Sequence, residues 1–429
     1  MSDCKHLCRV LTPLAAALAV WLSVGFDVGR RAQCAEPATR PNVVIILSDD
    51  QAWTDYSFLG HPHIKTPHLD HLAAESVTFT RGYVPTSLCR PSLMSLITGL
   101  CPHQHLVTGN DPPKGTDRNL MLKHIRSVPT LPKLLAEQGY VSFQSGKWWE
   151  GNFAEGGFTA GMTHGDTKRG GRHGDEGLTI GRQGNQPVYD FLAANQGKPF
   201  FLWYAPMLPH APHTPPERLL AKYRDKTDSI HIGRYWAMCE WWDEQCGELL
   251  AHLDKQGLAE NTLVVYVTDN GWIQNLDNQQ FAPRSKRSPY EGGIRTPIML
   301  RWPARLKPRR DDETLVTSLD LAPTILTACG LSPTKEMTGL NLLDVAAGQP
   351  SGRDTLQGEI FEHDIPDIDR AEPGLMFRWC IQGHWKLIQS ADGKHRELYN
   401  LKEDPREEKD MAAMEPERVK RLAAALKPW

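Results

Sequence analysis

The chain has 429 residues, enough for one large α/β domain with a smaller domain appended. Its 48 lysines and arginines against 51 aspartates and glutamates give a formal net charge of -3, so the sequence indicates neither a nucleic acid nor an anionic membrane surface as partner. Beyond the N-terminus no segment could span a membrane, and we expect no stable membrane insertion. With 13 tryptophans, 32 prolines, 35 glycines and 40% hydrophobic residues, the composition is typical of a loop-rich globular enzyme and excludes a coiled coil.

The first 35 residues have the pattern of a secretory leader. Lys5 and Arg9 precede an apolar stretch over residues 10–26, and small residues follow up to Ala35. We therefore predict a signal peptide over residues 1–35 and export of the mature protein to the periplasm or the extracellular space. An uncleaved anchor is the alternative, because the apolar stretch is only slightly shorter than a membrane-spanning helix.

Six cysteines remain beyond this leader, and their spacing matches no zinc motif: Cys89, Cys101, Cys239, Cys246, Cys329 and Cys380. Cys239 and Cys246 fall on one face of a predicted helix, about 10 Å apart, which is too far for a disulfide. We expect both to be free or buried.

Four short apolar runs each end in polar residues, as parallel strands do when their carboxyl ends open into a crevice. The runs and the residues after them are 42–47 with Ser48-Asp49-Asp50, 140–143 with Gln144-Ser145-Gly146-Lys147, 200–204 with 205–210, and 262–267 with Thr268-Asp269-Asn270-Gly271. Helices are predicted over residues 129–138 and 235–256, each followed by a glycine. This order predicts an α/β fold with a mostly parallel sheet flanked by helices.

Two stretches show no sustained periodicity, residues 108–126 and the glycine-rich residues 151–184, and we predict long loops over the crevice there. After residue 350 the pattern changes to short alternating runs and a charged terminal helix, which predicts a small antiparallel sheet with a helix on it. The predicted runs are 376–381, 385–388 and 397–401. The proposed division is therefore a catalytic domain over residues 36–350 and a C-terminal α+β subdomain over residues 351–429.

Four side chains just past two of the strands can offer oxygen atoms to one point: Asp49, Asp50, Asp269 and Asn270. Three carboxylates and one amide oxygen suit Ca²⁺ or Mg²⁺ better than zinc. Each pair could alternatively cap a helix or turn a loop. Two pairs at two strand ends favour the metal site.

Cys89 is predicted to lie at the N-terminus of a helix, since Pro91 suits a first helical turn and Gly99 suits the end of a helix. Backbone N–H groups at such a position stabilise an anion, either a thiolate or a tetrahedral oxyanion. From spacing alone, a buried structural cysteine is the alternative.

The stretch Cys89-Arg90-Pro91-Ser92, followed by Leu96-Ile97-Thr98-Gly99, resembles the sulfatase signature, whose cysteine is oxidised to formylglycine. Further family landmarks follow in the expected order: Asp49-Asp50, Ser145-Gly146-Lys147-Trp148, Pro209-His210-Ala211-Pro212, Thr268-Asp269-Asn270-Gly271, Lys286, Glu291-Gly292-Gly293, and Glu397-Leu398-Tyr399-Asn400-Leu401 with Asp404-Pro405. The resemblance implies the alkaline-phosphatase-like fold and hydrolysis of sulfate esters, with sulfated carbohydrates as substrates. It also implies a formylglycine-generating maturation enzyme as partner and Ca²⁺ as the metal, with Mg²⁺ as the alternative.

The resemblance further implies roles for single residues. Cys89, converted to the formylglycine hydrate, would attack the sulfur of the ester and share the metal with Asp49, Asp50, Asp269 and Asn270. Three other residues fall on family positions that bind sulfate or assist the leaving oxygen: Lys147, His210 and Lys286. His210 or Lys286 would give that oxygen its proton.

Two positions depart from the family pattern. Leu93 stands where the signature has an arginine that assists maturation and fixes the formylglycine. Trp149 stands where the family has a histidine associated with deprotonating the hydrate. Neither Arg81 nor Arg90 occupies the missing arginine's position in the sequence.

These departures keep two other functions open. A phosphodiesterase or phosphonate monoester hydrolase could use the same pocket, because tetrahedral anions share charge and shape. A non-catalytic binder of sulfated glycans could keep the pocket without turnover. Outside the landmarks, His103 and His105 could touch substrate or lie in a loop or the core, whereas loops are predicted for His61, His63 and His68 and a solvated turn for residues 307–310.

Overall fold

The computed structural model describes residues 40–166, 168–169 and 171–426. The predicted signal peptide, residues 1–35, lies outside these described residues. Across the described ranges, no helix combines the length and apolar character needed to cross a membrane.

The strands, in chain order, are β1 (Asn42–Ser48), β2 (Val77–Tyr83), β3 (Val141–Gly146), β4 (Ala160–Gly161), β5 (Phe200–Ala205), β6 (Thr262–Thr268), β7 (Arg295–Arg301), β8 (Arg309–Asp311), β9 (Val316–Thr317), β10 (Thr355–Phe361), β11 (Leu375–Gln382), β12 (Trp385–Ser390) and β13 (Arg396–Asn400). The α-helices are α1 (Pro67–Ala74), α2 (Cys89–Thr98), α3 (Pro102–His105), α4 (Leu122–Ser127), α5 (Leu131–Ala136), α6 (Gln186–Ala194), α7 (Glu217–Leu220), α8 (Ile230–Lys255), α9 (Glu291–Ile294), α10 (Leu321–Ala328), α11 (Leu342–Ala346) and α12 (Pro416–Ala425). Short 3-10 turns lie at Ser57–Leu59, Arg118–Met121, Phe153–Gly156, Gly171–His173, Glu176–Thr179, Arg224–Lys226, Ala259–Asn261, Ser318–Asp320 and Glu372–Gly374.

The main sheet has the strand order β4-β3-β5-β1-β6-β7-β2-β8, with β9 paired to β2. From β4 to β6 neighbouring strands run parallel, and β7 is antiparallel to both β6 and β2. The carboxyl ends of β1, β3, β5 and β6 therefore meet at one edge, where open α/β sheets bind their ligands. This arrangement confirms the predicted crevice and the predicted fold class.

Two apolar layers sandwich the sheet, because alternate residues of each strand point to opposite faces. On β1, Val43 and Ile45 belong to one core cluster and Val44 and Ile46 to the other. Helices α2, α5 and α10 contribute to the first cluster, and α1, α6 and α8 to the second. Burial on both faces explains why these strands appear in the sequence as continuous apolar runs.

The smaller sheet is antiparallel with the order β10-β11-β12-β13, and α12 packs on it through Val419 and Leu422. Trp379 of β11 packs against Tyr83 of the main sheet, with ring centres 5.9 Å apart. The predicted C-terminal sheet and helix are confirmed, although β10 was absent from the prediction.

Several predicted boundaries and loops need correction. The helix predicted over residues 129–138 is confined to α5, whereas the one predicted over 235–256 begins earlier, where Ser229 caps α8 by accepting a hydrogen bond from Ile232 N at 3.4 Å. Residues 108–126 are wrong as one long loop, because they contain the turn Arg118–Met121 and most of α4. Residues 151–184 are largely irregular, interrupted only by short turns and β4.

Two smaller predictions are also wrong. The residues 307–310 are not simply a solvated turn, since Arg309 and Arg310 begin β8 and pair with Val77 and Thr78. Of the histidines expected in loops, His68 lies in α1. Cys239 and Cys246, as expected, are both buried in α8 and free.

Candidate active site

Two strand ends bring four oxygen-bearing side chains to one point. Asp49 and Asp50 directly follow β1, Asp269 and Asn270 directly follow β6, and the two strands pair in parallel from end to end. The backbone N–H of Asp50 donates to Asp269 Oδ1 at 3.0 Å, and Asn270 Nδ2 donates to Asp50 Oδ1 at 2.6 Å. Asp50 has a φ of 61°, a left-handed conformation that turns the chain sharply after β1. All four side chains are buried together.

Two of these buried oxygens lack a hydrogen-bond donor. Asp49 Oδ2 and Asn270 Oδ1 accept no hydrogen bond from any residue that the structure describes. Buried acceptors almost always have a partner, so this pair points to a ligand that supplies positive charge. One ligand atom from each of Asp49, Asp50, Cys89 and His210 also lies within 4.8 Å of the others. The donor set therefore fits a divalent cation that prefers oxygen ligands, such as Ca²⁺ or Mg²⁺.

Cys89 begins α2, as the sequence predicts, with Leu88 as the extended N-cap residue and Gly99 ending the helix at a φ of 69°. The thiol is buried, and this burial raises the pKa of Cys89 to about 12, although Lys147 and Lys286 oppose the rise. The unmodified thiol is therefore protonated at neutral pH. The anion predicted at this helix start, a thiolate or a tetrahedral oxyanion, stays a prediction.

Two buried lysines hold the three carboxylates. Lys147 Nζ donates to Asp49 Oδ1 at 2.6 Å and to Asp269 Oδ2 at 3.1 Å. Lys286 Nζ donates to both carboxylate oxygens of Asp50, at 2.6 and 2.8 Å, and to Cys89 Sγ at 3.0 Å. Both lysines on family positions thus lie in the same cluster as the oxygen ligands.

In this cluster the pKa values of Asp49 and Lys147 are raised, whereas the pKa of Asp50 is lowered. Burial, with Asp269 adding to it, raises the pKa of Asp49 well above its usual value. Burial alone would also raise that of Asp50, but Lys286 and His210 bring the pKa of Asp50 below its usual value. Burial alone would lower the pKa of Lys147, but Asp269 and Asp49 raise it well above its usual value.

The cluster carries unequal numbers of positive and negative groups. Three carboxylates, Asp49, Asp50 and Asp269, face two ammonium groups, Lys147 and Lys286. One negative charge in excess repels an anionic substrate, whereas an added divalent cation reverses the sign and makes the pocket attractive to an anion.

His210 reaches the same pocket from the loop after β5. Asp49 N donates to Leu208 O at 3.0 Å, which fastens this loop to the end of β1. His210 Nε2 lies 3.4 Å from Asp50 Oδ2, and its Nδ1 lies 2.6 Å from the carbonyl oxygen of Ala211. Burial lowers the pKa of His210 to about 3, so its ring is neutral near pH 7. With Nδ1 donating to Ala211, Nε2 faces the reaction centre.

The segment carrying Lys286 packs directly against the signature helix. Arg287 N donates to Ser87 O at 2.8 Å, two residues before Cys89. A Cβ at Gly293 would lie 2.3 Å from Ser285 O and 2.6 Å from Ser87 Oγ, so only glycine fits there. This explains why the Glu291-Gly292-Gly293 landmark accompanies Lys286.

Next to Trp149 lies a histidine, His173, that the sequence did not single out. The Trp149 ring meets His173 edge to face, with ring centres 4.5 Å apart, and His173 lies 5.8 Å from the ring of His210. Burial, with Lys147 and His210 adding to it, lowers the pKa of His173 to about 2. His173 comes from the glycine-rich residues 151–184, whose lack of periodicity gave no signal to single it out.

The other departure, Leu93, places an apolar side chain in the signature helix where the family has an arginine. Leu93 is buried in the first core cluster, in the next helical turn after Cys89. Arg90 points instead to Glu150, with two hydrogen bonds of 2.6 and 2.7 Å. Arg81 donates to the carbonyl oxygens of Glu313 and Gly383.

Three of the histidines considered from the sequence make contacts away from the cluster. His105 is buried and contacts Ser95 Oγ at 3.1 Å, which supports the core alternative, and His103 pairs with Glu359 at 2.7 Å. His61 accepts backbone hydrogen bonds from His63 and Ile64. These contacts are structural.

The sequence model of the family described as Sulfatase matches residues 41–331. The chain belongs to the sulfatase family. Residues 281–428 of this sulfatase also match a model described as N-sulphoglucosamine sulphohydrolase, C-terminal. The reaction class of this chain is therefore that of a sulfuric ester hydrolase. The family match favours this class over a phosphodiesterase.

One relative and two solved structures illustrate the similarity. The N-acetylgalactosamine-6-sulfatase of Canis lupus familiaris is 29% identical over 386 residues, covering 79% of this chain and 72% of the relative. A protein solved in complex with its substrate D-glucosamine-2-N,6-O-disulfate superposes with a TM-score of 0.72 at 21% identity, covering 90% of this chain and 97% of the other. A phosphonate monoester hydrolase of Agrobacterium radiobacter gives 0.69 at 19% identity, covering 90% and 94%. The two structures show that the alkaline-phosphatase-like fold is shared.

Proposed function

We propose that this sulfatase hydrolyses sulfate esters of carbohydrates, using a formylglycine formed from Cys89 and a divalent cation, Ca²⁺ or Mg²⁺. The observation that carries the proposal is the convergence of Cys89 Sγ, Lys286 and Asp50 within hydrogen-bonding distance. The two buried oxygens without a donor among the described residues, Asp49 Oδ2 and Asn270 Oδ1, support a cation beside them.

The proposed metal ligands are the four oxygen-bearing residues and position 89: Asp49, Asp50, Asp269, Asn270 and Cys89. When bound, the cation would supply a Lewis acid that polarises sulfate oxygens, and the formylglycine would supply the nucleophile. Lys147 spans Asp49 and Asp269, so it fixes two ligands and adds a positive charge next to the sulfate position.

Lys286 and His210 are the proposed proton donors for the leaving oxygen of the ester. Lys286 lies against position 89, and His210 presents Nε2 to the other side of Asp50. Lys286 can donate a hydrogen bond to an oxygen of a bound ester as it stands, whereas the neutral His210, with its proton on Nδ1, must first take up a proton at Nε2. Proton donation by one of them stabilises the leaving alkoxide of a sugar. We assign Lys286 and His210 to this step.

Carbohydrate is the proposed substrate class because of the named relatives. One relative is named as an N-acetylgalactosamine-6-sulfatase, and one structural neighbour was solved with a disulfated glucosamine as its substrate. The leader pattern over residues 1–35 supports export, which would place the enzyme where such polymers occur.

The decisive experiment expresses the chain with and without a formylglycine-generating enzyme. Mass spectrometry of the peptide containing Cys89 should show the aldehyde only in the co-expressed protein, and only that protein should release sulfate from 4-nitrophenyl sulfate and from sulfated sugars. Cys89→Ser is the matched control, because it replaces only the sulfur atom and removes the thiol from which the formylglycine is proposed to form. An unmodified thiol with full activity would contradict the formylglycine. Greater activity on phosphodiesters than on sulfate esters would contradict the substrate class.

A further inference from the structure

A cleft next to the reaction centre is formed where the two stretches without periodicity meet. Arg118 of the 108–126 stretch and Arg172 of the 151–184 stretch both line it, and both pair with Asp111. The tryptophans Trp148 and Trp149, which directly follow Lys147, line it as well. The mechanism above uses none of these four side chains.

Three hydrogen-bond donors on residues that line this cleft have no acceptor among the described residues. Trp148 Nε1, Trp149 Nε1 and Arg118 Nη2 are buried, and none has an acceptor within the described ranges of the chain. Indole and guanidinium groups can only donate, so a ligand that completes them must bring acceptor oxygens. Both tryptophans are more than nine-tenths buried, which makes their unpaired N–H groups unusual.

The charges around the cleft favour an anion. Arg118 and Arg172 both pair with the single carboxylate of Asp111, and their guanidinium carbons lie 5.0 and 5.3 Å from the centre of the Trp149 ring. The charge of Glu150 is already paired, because Arg90 donates two hydrogen bonds to its carboxylate. Around Asp111, two guanidinium groups thus share one carboxylate, which leaves one positive charge in excess within that group of three.

One carboxylate that lines the cleft, Asp175, already accepts several hydrogen bonds. Asp175 accepts hydrogen bonds from three backbone N–H groups, at 2.8 to 3.0 Å, given by His164, Asp166 and Glu176. These neutral N–H groups leave the charge of Asp175 in place, but Arg118 and Arg172 pair with Asp111 rather than with it. Guanidinium groups bind sulfate and carboxylate oxygens through charge-assisted hydrogen bonds.

Trp149 connects this cleft to the reaction centre. Its ring centre lies 6.0 Å from Lys147 Nζ, and it contacts His173, which in turn lies beside His210. A sugar whose reacting sulfate sits at position 89 can therefore extend a neighbouring substituent past Trp149 toward Arg118.

We propose that this cleft, defined by Arg118, Trp148, Trp149 and Arg172, is a subsite for a second anionic group on the sugar substrate, a further sulfate or a carboxylate. The proposal rests on the proposed function for the reacting sulfate. It makes the preferred substrate a sugar with at least two anionic groups, and it gives Trp149 a role in substrate selection.

Binding to a variant that cannot turn over tests the subsite directly. In a Cys89→Ala background, calorimetry would compare a monosulfated sugar, the same sugar with two sulfates, and a monosulfated disaccharide carrying a uronic acid. We expect the sugar with two anionic groups to bind about 10-fold tighter than the monosulfated one, the gain of one charge-assisted contact. Whichever of the two dianionic ligands shows the gain identifies the second group as sulfate or carboxylate.

Substitutions of the two arginines then show whether they cause the tighter binding of the sugar with two anionic groups. Arg118→Gln and Arg172→Gln should each remove most of the 10-fold gain while leaving the monosulfated sugar bound as before, and Arg118→Lys should retain part of it. Arg169→Gln is the matched control, because Arg169 is exposed in the same glycine-rich stretch and pairs with Glu176. Thermal unfolding of each variant separates a folding defect from a binding defect.

The outcomes distinguish the subsite from the proposed function. Equal affinity for the monosulfated and dianionic sugars would overturn the subsite and leave its donors to water. Equal losses on both ligand types would also overturn it. If the matured enzyme released no sulfate while the preference that depends on arginine remained, the proposed reaction would fail and the subsite would stand.

Discussion

Lys286 Nζ lies 3.0 Å from Cys89 Sγ and, at the same time, within 2.8 Å of both carboxylate oxygens of Asp50. One ammonium group thus joins the residue predicted to carry the nucleophile to a predicted metal ligand. Burial alone would lower the pKa of Lys286, but Asp50 and Cys89 raise it above its usual value, so the group stays charged. A permanent charge at this point can stabilise negative charge that develops on the departing oxygen.

Lys286→Ala should therefore impair poor leaving groups more than good ones. We expect a loss of about 10² to 10³-fold in kcat on a sugar sulfate, the usual cost of removing one group that stabilises developing negative charge, and a smaller loss on 4-nitrophenyl sulfate. Lys147→Ala is the control, because Lys147 contacts Asp49 and Asp269 and should lower both rates alike. If His210→Ala alone shows the dependence on the leaving group, His210 is the donor instead.

Removing the divalent cation should lower stability as well as activity. A ligand that binds only the folded state at 100 times its Kd stabilises it by about 2.7 kcal/mol, so Ca²⁺ should raise the Tm of the wild-type chain relative to EDTA. Asp49→Asn and Asn270→Ala should lose this rise, since both oxygens lack another donor in the described structure. Asp364→Asn, in the separate and more exposed group with Asp111 and His363, should keep it. A rise that persists in Asp49→Asn would place the cation elsewhere.

His173 should contribute to turnover, because it brings an imidazole next to the position where the family histidine is replaced by Trp149. We expect His173→Ala to lower kcat by about 10²-fold, at the low end for a group that transfers protons, with KM changed less. The double variant His173→Ala with Trp149→His should recover part of the loss. A kcat equal to that of wild type would show that His173 only packs against Trp149.

The parts of the site found from sequence are those coded by local pattern. Asp49 and Asp269 were predictable because each follows a continuous apolar run, and parallel strands necessarily bring their carboxyl ends to one edge. The position of Cys89 at a helix start was predictable from Pro91 and Gly99. Lys286 was reached only through family resemblance, since no periodic pattern surrounds it.

The missed features depend on contacts between distant segments. His173 and Arg172 reach the site because an irregular stretch folds back over β3, and irregular backbone leaves no periodic signal. Strand β7 contains Pro297, which argues locally against a strand, but it pairs in antiparallel fashion between β6 and β2. The edge strand β8 is only three residues long and exists through its pairing with β2.

The stability of the fold should depend on pH through Asp243, a buried residue of α8 far in sequence from the reaction centre. Its carboxylate accepts hydrogen bonds from Leu69 N at 2.7 Å and His68 N at 3.2 Å, at the start of α1. Burial raises the pKa of Asp243 to about 7 even though these two hydrogen bonds oppose the rise. The folded chain therefore holds a proton here that the unfolded chain releases near pH 4.

Because the folded state binds more protons between about pH 4 and pH 7, the free energy of unfolding should fall as the pH rises through this window. The stabilisation is fully present below the unfolded pKa and is lost above about pH 7, with a total on the order of a few kcal/mol. Asp243→Asn, whose neutral amide oxygen can accept the same N–H groups, should flatten this slope in urea denaturation at pH 5, 6, 7 and 8. Asp254→Asn, an exposed change on the same helix, should leave the slope as in wild type. If Asp243→Asn keeps the wild-type slope, the carboxylate is ionised throughout and the N-terminus of α1 holds its charge.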